Sequence, residues 1–396
     1  MSEAIAGIRV LELGQVIAGP FCGQLLGDLG ADVVKVEPPE VGDVLRQWGH
    51  RTGGGDSLWW RVTGRNKRSV TINLRTPEGQ DLVRRLAEKA DILVENFRPG
   101  TMERWGLGWP DLCAVNPRLI MVRISGFGQV GPYARRAGYA AIGEAMGGLR
   151  ALTGYPDRPP TRVGVSIGDS LTGMFGALGA LAALEARRST GRGQVVDASI
   201  YESVLAVTEA LVIDWHAEGL SRERTGPTLP GIAPSNVYPT QDGQVLIAAN
   251  QDSVFARLVT VMGHADLVTD PRFADHQARA GHVAEIDAIV SAWTLTHASA
   301  DVLARLHEAG VPAGLVYEPK DMLADPHFAE RESLVRVPDD AYGEIVMQAV
   351  FPKLSATPGR VRHAGPRLGA DTDEVLRELL DLKPVEIERL RHDGVI

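Results

Sequence analysis

The chain has 396 residues, of which 44% are hydrophobic and 23% charged, so it is too long for one typical domain and has the composition of an ordinary soluble globular protein. Its formal net charge of −9 at pH 7 argues against general nucleic-acid binding. The two cysteines, Cys22 and Cys113, cannot build a disulfide framework, so we expect a reducing compartment.

The first elements of the chain are predicted to form a β-α-β unit. An apolar run over 8–13 predicts a strand, Gly19-Pro20 predicts a turn, and a short helix then leads to a second strand over 33–37. Dinucleotide-binding sites carry G-x-G-x-x-G in such a unit, and this segment lacks that motif. A cofactor other than NAD or FAD is therefore expected.

The rest of the first half alternates strand and helix patterns. Further strands are predicted over 69–74, 92–95, 119–124 and 194–199. Pro77 in a first turn, an early acid and apolar residues on one face predict a helix over 77–89. A Gly- and Ala-rich helix is predicted from Asp169 to about Arg188, and another over 200–218. Strands that alternate with helices imply a mainly parallel sheet covered on both faces.

The composition changes near 220–234, where arginine, glycine and proline residues make a turn-rich connector. Beyond it, a turn at Asp242-Gly243 between apolar runs predicts a hairpin with strands over 236–238 and 244–249. The pattern then predicts helices near 254–262 and 283–296, and the segments 300–308 and 311–316 complete a smaller α+β unit. Strands and a final helix over 384–393 are expected after about residue 334.

Positive charge is concentrated in two acid-free stretches of this acidic chain. The first lies between 57 and 77 and carries Arg61, Arg65, Lys67, Arg68 and Arg75. The second carries Arg118, Arg123, Arg135 and Arg136. Each stretch fits either a solvated basic face or a phosphate site, because the planar guanidinium can donate two hydrogen bonds to a phosphate.

Asp169, between Gly168 and Ser170, precedes a long helical pattern and has two possible roles. Aspartate is among the preferred helix caps, so capping is the structural alternative. A carboxylate near a helix N-terminus also stays ionised and able to attack an electrophile. Neither Cys22 nor Cys113 has a histidine or basic neighbour in sequence that would lower its pKa, so cysteine is the weaker candidate nucleophile.

Several segments together resemble the class III CoA-transferases, also called the CaiB/BaiF family, in that family's order and spacing. They are 15–20 with 29–37, Asn66-Lys-Arg-Ser69, Glu95-Asn-Phe97, Gly168-Asp-Ser170 and Thr190-Gly-Arg-Gly-Gln194. The resemblance covers essentially the whole chain and implies an α/β fold with a Rossmann-like large domain and a smaller α+β domain. It also implies an interlocked dimer of ring-like chains. Residues 1–220 would begin the large CoA-binding domain, 221–333 would form the small domain, and 334–396 would return to the large one.

The resemblance implies transfer of CoA from an acyl-CoA donor to a free carboxylic acid, with Asp169 as the covalent nucleophile. Coenzyme A enters as the acyl-CoA substrate. No metal is expected, because the ten histidines lack metal-ligand spacing. The positions that would line the CoA are Val16, Ile17, Ala18, Ile72, Asn73, Leu74, Arg75, Asn96, Phe97, Arg98, Arg104, Arg136 and Tyr139.

Three departures from the family pattern bear on the acceptor acid. Ile17 stands where the formyl-CoA:oxalate members have glutamine, and 248–252 lacks their glycine run. Both differences argue against oxalate. Pro38 stands where some members have a basic residue for the ribose phosphate. A dicarboxylate or hydroxy acid, with succinyl-CoA as donor, is the expectation.

Two alternative functions stay open at this point. An α-methylacyl-CoA racemase would share the fold and the aspartate, but it needs a histidine base where this chain has Tyr139. A phenol with a pKa of about 10 is a poor base at neutral pH. The second alternative is a non-catalytic CoA-binding protein, in which Asp169 would have no chemical role.

The expected location is cytoplasmic. The N-terminal residues contain no basic region ahead of an apolar run, and the longest apolar run, 173–184, is too short to span a bilayer. The expected partners are an acyl-CoA, a small carboxylic acid and a second copy of the chain, without nucleic acid or membrane.

Overall fold

The computed structural model describes residues 3–51 and 55–396 and divides into two compact units. The larger unit runs to Leu149 and resumes over Val163–Glu209 and His327–Ile396. The smaller unit comprises Arg150–Arg162 and Ala210–Pro326.

A six-stranded parallel sheet forms the centre of the larger unit. Its strands are β1 (Arg9–Glu12), β2 (Asp32–Glu37), β3 (Lys67–Thr71), β4 (Ile92–Glu95), β5 (Ile120–Ser125) and β6 (Val195–Ser199). They pair in the order β3-β2-β1-β4-β5-β6, every neighbouring pair being parallel. The predicted parallel α/β sheet is confirmed. The strand order reverses between β1 and β4, and open sheets of this kind bind ligands outside the carboxyl ends of the strands at that point.

The helices of this part of the chain cover both faces of the sheet. They are α1 (Ala18–Asp28), α2 (Leu58–Thr63), α3 (Pro77–Glu88), α4 (Thr101–Arg104), α5 (Trp109–Val115), α6 (Ala140–Met146), α8 (Ile167–Thr190) and α9 (Ile200–Leu205). The short helix α7 (Leu149–Leu152) belongs mostly to the smaller unit. Val10 packs in a core with residues of α1 and α8, whereas its neighbour Leu11 packs with residues of α3 on the opposite face. This alternation is the period-two pattern of a strand buried on both sides.

Helix α3 matches its prediction within one residue. The Thr76 hydroxyl accepts the N–H of Gly79 at 3.0 Å, and Pro77 occupies the first turn, where no intrahelical N–H bond is lost. The predicted strand over 69–74 is shifted, since β3 begins at Lys67 and ends at Thr71. Beyond it the chain turns, with the Thr76 hydroxyl donating to the carbonyl oxygen of Asn73 at 2.9 Å.

The single helix predicted over 200–218 is wrong. Helix α9 ends at Leu205 and a new helix, α10, spans Leu211–Glu218. Glu209 between them has a φ of 53°, which a right-handed helix cannot accommodate. The Thr208 hydroxyl donates to the carbonyl oxygen of Leu205 at 2.8 Å and satisfies the end of α9.

Helix α8 has 24 residues and is long and apolar enough to cross a membrane by length and composition alone. It is longer than the apolar run from which a span was excluded above. A Cβ on Gly173 would lie 2.8 Å from the carbonyl oxygen of Ala18 in α1, and one on Gly176 would lie 3.3 Å from Val122 in β5. This helix therefore packs directly on the core of the larger unit, and close packing explains its small residues.

The smaller unit is built on a three-stranded antiparallel sheet with the predicted hairpin. Its strands are β7 (Ser235–Pro239), β8 (Gln244–Ala248) and β9 (Ala313–Leu315). Its remaining helices are α11 (Asp252–Val261), α12 (His276–Gly281), α13 (Val283–Thr294), α14 (Ser299–Glu308) and α15 (Pro319–Ala324). Helix α16 (Pro326–Glu330) begins at the last residue of this unit and otherwise belongs to the larger one. Arg279 is fully buried and donates to the carbonyl oxygens of Asn250 at 2.7 Å and Phe273 at 3.0 Å. The 248–252 loop is thus held by a side chain.

The C-terminal part of the chain completes the larger unit. It contains an antiparallel pair, β10 (Leu334–Asp339) and β11 (Gly343–Gln348), and two helices, α17 (Thr372–Leu380) and α18 (Pro384–His392). Val375 and Leu376 of α17 and Ile387 of α18 are buried in the same core as Leu82 of α3. Helix α18 ends at His392, one residue before the predicted end of the final helix.

Candidate active site

Two loops that are distant in sequence meet at the point where the strand order reverses. The backbone N–H of Gln15 donates to Asn96 Oδ1 at 2.7 Å, and Asn96 Nδ2 donates to the carbonyl oxygen of Gln15 at 2.7 Å. Gln15 follows β1 and Asn96 follows β4. The pair of bonds therefore brings two predicted CoA segments, 16–18 and 96–98, to the carboxyl edge of the sheet.

Val16 holds an unusual backbone conformation in this loop. Its φ is 67°, which a β-branched residue rarely adopts. Its N–H donates to Asp43 Oδ1 at 2.9 Å, and this acceptor fixes the turn. The strain is local to the segment that leads into Ile17 and Ala18 at the start of α1.

A buried set of charges lies beneath this loop. Lys35 Nζ lies 2.7 Å from Asp43 Oδ2 and 3.1 Å from Glu12 Oε1, and it also donates to the carbonyl oxygen of Gly14. Lys67 Nζ lies 2.8 Å from Glu12 Oε2. Burial disfavours the charged form of Asp43, but Lys35 outweighs it and keeps the pKa of Asp43 below its ordinary value. These charges stabilise the loop from inside the unit.

Four of the five basic residues in the 57–77 stretch pair with carboxylates of the protein. Arg61 pairs with Asp339 at 3.1 Å, Arg65 with Asp28 at 2.6 Å, Lys67 with Glu12 at 2.8 Å, and Arg68 with Asp32 at 2.7 Å. The acidic partners lie far away in sequence, which is why the stretch itself looks unbalanced. In the second stretch, Arg123 is likewise buried and paired.

The segment after β3 contains residues that pack in the core and one residue that is exposed to solvent. Ile72 is buried and its N–H donates to the carbonyl oxygen of Glu37 at 2.8 Å, and Leu74 packs against the core. Asn73 Oδ1 accepts the backbone N–H of Arg75 at 3.1 Å. Arg75 is exposed, and its side chain makes none of the ion pairs found among residues 3–51 and 55–396.

Asp169 is the third residue of α8, and Ser166 occupies the N-cap position, so the capping role considered for Asp169 is wrong. The side chain is half-buried. The preceding Gly168 fits tightly, since a Cβ there would lie 3.1 Å from Ile200 Cγ2 and 3.4 Å from the carbonyl oxygen of Ala140. The first turn of α8 therefore sits against α9 and α6. Tyr139, which is 73% exposed, immediately precedes Ala140, so Asp169 and Tyr139 lie in adjoining turns.

Packing of α8 on α1 relates Asp169 to the loop after β1. Asp169 and Gly173 are four residues apart on one helix, so they share a face, and such positions are separated by about 6 Å. A Cβ on Gly173 would lie 2.8 Å from the carbonyl oxygen of Ala18. The candidate nucleophile thus lies one helical turn from Gly173, the residue of α8 that packs on Ala18 of the predicted CoA segment.

The other predicted CoA positions differ in their surroundings. Phe97 contacts Trp105 edge to face, with ring centroids 5.1 Å apart, and packs against the core, so it has a structural role. Arg98 is exposed, and Arg104 is exposed with Nη2 donating to Thr101 Oγ1 at 2.9 Å. The guanidinium of Arg136 lies 3.6 Å from the ring centroid of Tyr133.

Cys22 is fully buried, and burial raises the pKa of its thiol well above the ordinary value. A neutral buried thiol is unreactive, as expected from the sequence. Within the described part of the chain, no group of three His, Cys, Asp or Glu residues has a geometry that could hold a metal ion.

The sequence did not reveal the role of the residues that fix these loops. Gln15 and Glu95 stand in recognised motifs but were given no role, and Asp43, Glu103 and the pairing of Arg123 were missed. A signal was present: Glu12, Lys35, Glu37, Glu95 and Arg123 are charged residues in the second half of buried, mainly apolar strands. In a parallel sheet covered on both faces, such charges must be paired inside the protein.

Comparison with known proteins identifies the class to which this fold and site belong. The sequence model of CoA-transferase family III matches residues 5–372, so the chain belongs to the family III CoA-transferases. It is 56% identical over 390 residues to the succinyl-CoA–D-citramalate CoA-transferase of Chloroflexus aurantiacus, covering 98% of this chain and 97% of that one. It is 43% identical over 396 residues to the beta subunit of the succinyl-CoA–L-malate CoA-transferase of the same organism, covering 99% and 98%.

A solved structure agrees with this assignment. The crystal structure of a CaiB/BaiF family protein from Brucella suis superposes with a TM-score of 0.85 at 36% identity, covering 96% of this chain and 100% of that one. The family and the enzyme class expected from the sequence are confirmed.

Proposed function

We propose that this enzyme transfers CoA from succinyl-CoA to a hydroxy-substituted dicarboxylic acid such as citramalate or malate. The observation that carries the proposal is the 56% identity, across 98% of the chain, to a transferase named for succinyl-CoA and D-citramalate. The departures at Ile17 and 248–252, which argued against oxalate, agree with it.

Asp169 is the proposed nucleophile. Its carboxylate oxygen attacks the thioester carbonyl of succinyl-CoA, the C–S bond breaks, and a mixed anhydride and the CoA thiolate result. The thiolate attacks the aspartyl carbonyl, which releases succinate and leaves an aspartyl-CoA thioester. The acceptor carboxylate then attacks the aspartyl-CoA thioester, which releases the CoA thiolate and forms a second mixed anhydride. The thiolate attacks the acceptor carbonyl of this anhydride, which gives the new CoA thioester and regenerates Asp169. These reaction steps balance in atoms and charge without a general base.

The position of Asp169 suits this role in two ways. It lies in the first turn of a 24-residue helix, where the helix dipole favours the ionised carboxylate. Gly168 packs the first turn of α8 against α6 and α9, so the backbone that carries Asp169 is held in place. Tyr139, in the adjoining turn, is proposed to pack beside the thioester or to donate a hydrogen bond to it.

The CoA is proposed to lie along the carboxyl edge of the sheet near the switch point. The loop 16–18 and the residues after β4 supply backbone and packing surface there. Arg75, Arg98, Arg104 and Arg136 are exposed and are proposed to contact the phosphates, since arginine binds phosphate through paired N–H donors. The buried arginines of the same region already bind carboxylates of the protein.

The test is an assay of the purified protein with succinyl-CoA and separate acids: D-citramalate, L-malate, glutarate and oxalate. Mass detection should show a new thioester with citramalate or malate and little with oxalate. Absence of a new thioester with every acid would contradict the proposal. A parallel incubation of a 2-methylacyl-CoA in deuterium oxide without acceptor tests the racemase alternative, which rapid exchange of the α-hydrogen would favour.

A further inference from the structure

We propose that Arg123 is a positioning residue for acyl-CoA, which joins the loop after β4 to helix α4 and so fixes two parts of the binding surface together. This inference rests on the proposed CoA site at the switch point. Arg123 itself is buried and contacts carboxylates of the protein, so it is expected to act through the residues that it holds.

The contacts form a continuous bridge. Arg123 Nε donates to Glu95 Oε1 at 2.8 Å, and Arg123 Nη1 donates to Glu103 Oε1 at 2.7 Å. The other oxygen of Glu95, Oε2, accepts the backbone N–H of Phe97 at 2.8 Å. Glu103 immediately precedes Arg104. One guanidinium therefore links the backbone of the 96–98 loop to the helix that carries a candidate phosphate ligand.

Helix α4 depends on such contacts for its position. It has four residues and begins after Gly100, which has a left-handed conformation and supplies no side-chain cap. A helix this short is not stable by itself. Its tertiary anchors include the buried side chain of Met102 and the bond from Arg123 to Glu103. Loss of the bond would free the Arg104 end of the site while Met102 still holds the segment to the core.

The geometry requires arginine and not merely a positive charge. Glu95 and Arg123 are opposite each other in the parallel pair β4–β5, so the guanidinium lies beside the carboxylate at the sheet edge. Its planar fork reaches a second acid in another element, which the single ammonium of lysine cannot do with the same geometry. A buried ion pair is weak evidence for stability, because desolvation offsets the attraction, and a positional role accounts for its presence.

The bridge is also expected to depend on pH. Burial raises the pKa of Glu95 to about 7, opposed by Arg123 and by the N–H of Phe97 and assisted by the negative charge of Glu103. From β6, Asp197 also faces Arg123. As the pH falls through about 7, Glu95 takes up a proton and loses its charge attraction to Arg123. Binding of CoA should weaken over that range by more than titration of the ligand explains.

The experiment measures the affinity of free CoA by calorimetry and the KM and kcat for succinyl-CoA in the full-length protein. Arg123→Lys keeps the charge and removes the fork, and Glu103→Gln removes only the arm to α4. We expect Arg123→Lys to weaken CoA binding and to raise KM, each by about tenfold. Glu103→Gln should change the same two quantities by a few-fold, and kcat of both variants should stay within about twofold of wild type. Glu185→Gln, which breaks the exposed pair with Arg188, is the matched control and should change neither value.

The outcomes separate this inference from the proposed function. Glu95→Gln should also lose the extra weakening of CoA binding between pH 8 and pH 6. Wild-type affinity and KM in both Arg123→Lys and Glu103→Gln would overturn the positioning role, whatever happens to the melting temperature. Failure of the wild-type protein to bind CoA would instead overturn the proposed CoA site, and this inference with it.

Discussion

At the scale of single residues, the distribution of charge separates side chains that hold the protein together from those available to a ligand. Lys35, Lys67 and Arg65 are buried and paired with acids of the larger unit. Arg75 and Arg98 are exposed at the carboxyl edge of the sheet. In an acidic protein, an anionic ligand is therefore expected to bind through a few exposed arginines and not through the basic stretch as a whole.

Replacement of Arg75 tests this division. Arg75→Ala should weaken CoA binding by about 1.5–3 kcal/mol, the contribution of a hydrogen bond to a charged group. The loss should be smaller for dephospho-CoA if the ribose phosphate is the partner. Calorimetry with both ligands measures the difference.

The matched control is Arg68→Ala, from the same stretch. Arg68 pairs with Asp32 at 2.7 Å and with Glu378 at 2.6 Å, so its loss should lower thermal stability and leave CoA affinity unchanged. Equal effects of the two substitutions on CoA affinity would show that exposure does not distinguish ligand-binding from structural arginines here.

The sequence motifs named candidate site residues, which stay predictions, but they did not indicate which residues hold those candidates in place. Asp169, Tyr139 and the 16–18 segment were found as motifs, and the structure brings them to neighbouring turns. The double hydrogen bond between Gln15 and Asn96 was not foreseeable, because it joins residues 81 positions apart and depends on the pairing of β1 with β4. Ion pairs between residues that are distant in sequence cannot be predicted from local sequence patterns for the same reason.

At the scale of elements, small residues determine how closely α8 approaches α1. The Gly- and Ala-rich pattern predicted a closely packed helix, and the structure confirms it at Gly173 and Gly176. The break between α9 and α10 was missed, because the residues before Glu209 are compatible with a helix. Only the positive φ of Glu209 marks the break, and the sequence does not show it. Charged residues likewise obscured the start of β3 at Lys67.

Gly173→Ala tests the close approach. The added methyl group would lie 2.8 Å from the backbone oxygen of Ala18, so the helices must separate, and overpacking of this kind costs about 1–3 kcal/mol. Urea unfolding should show the loss, and transferase activity should fall because the same contact relates Asp169 to the loop after β1.

Gly281→Ala is the control for the change in helix propensity. Gly281 ends α12, and a Cβ there meets no heavy atom within 4 Å. Its substitution should leave stability unchanged or raise it by up to about 1 kcal/mol. The same stability in both variants would argue against a tight α1–α8 contact.

At the scale of the whole molecule, the exposed apolar surface bears on assembly. Met174 and Leu178 of α8 are 47% and 60% exposed, and Leu205 and Val207 near the end of α9 are 40% and 46% exposed. Clusters of exposed apolar residues in a soluble protein mark interaction surfaces. We propose that a second copy of the chain covers them, in the interlocked dimer implied by the family resemblance.

Light scattering tests the dimer. Chains threaded through each other cannot separate without substantial unfolding, so the measured mass should be that of a dimer and should not fall on dilution. A monomer that stays folded and active would contradict the interlocked arrangement.

Covalent catalysis by Asp169 can be examined by trapping its acyl intermediate. The protein is incubated with succinyl-CoA without acceptor, quenched with hydroxylamine, and digested for peptide mass analysis. We expect a hydroxamate on Asp169, its absence in Asp169→Asn, and loss of transfer in that variant with CoA binding retained. Trapping at a different residue, or normal turnover by Asp169→Ala, would contradict it.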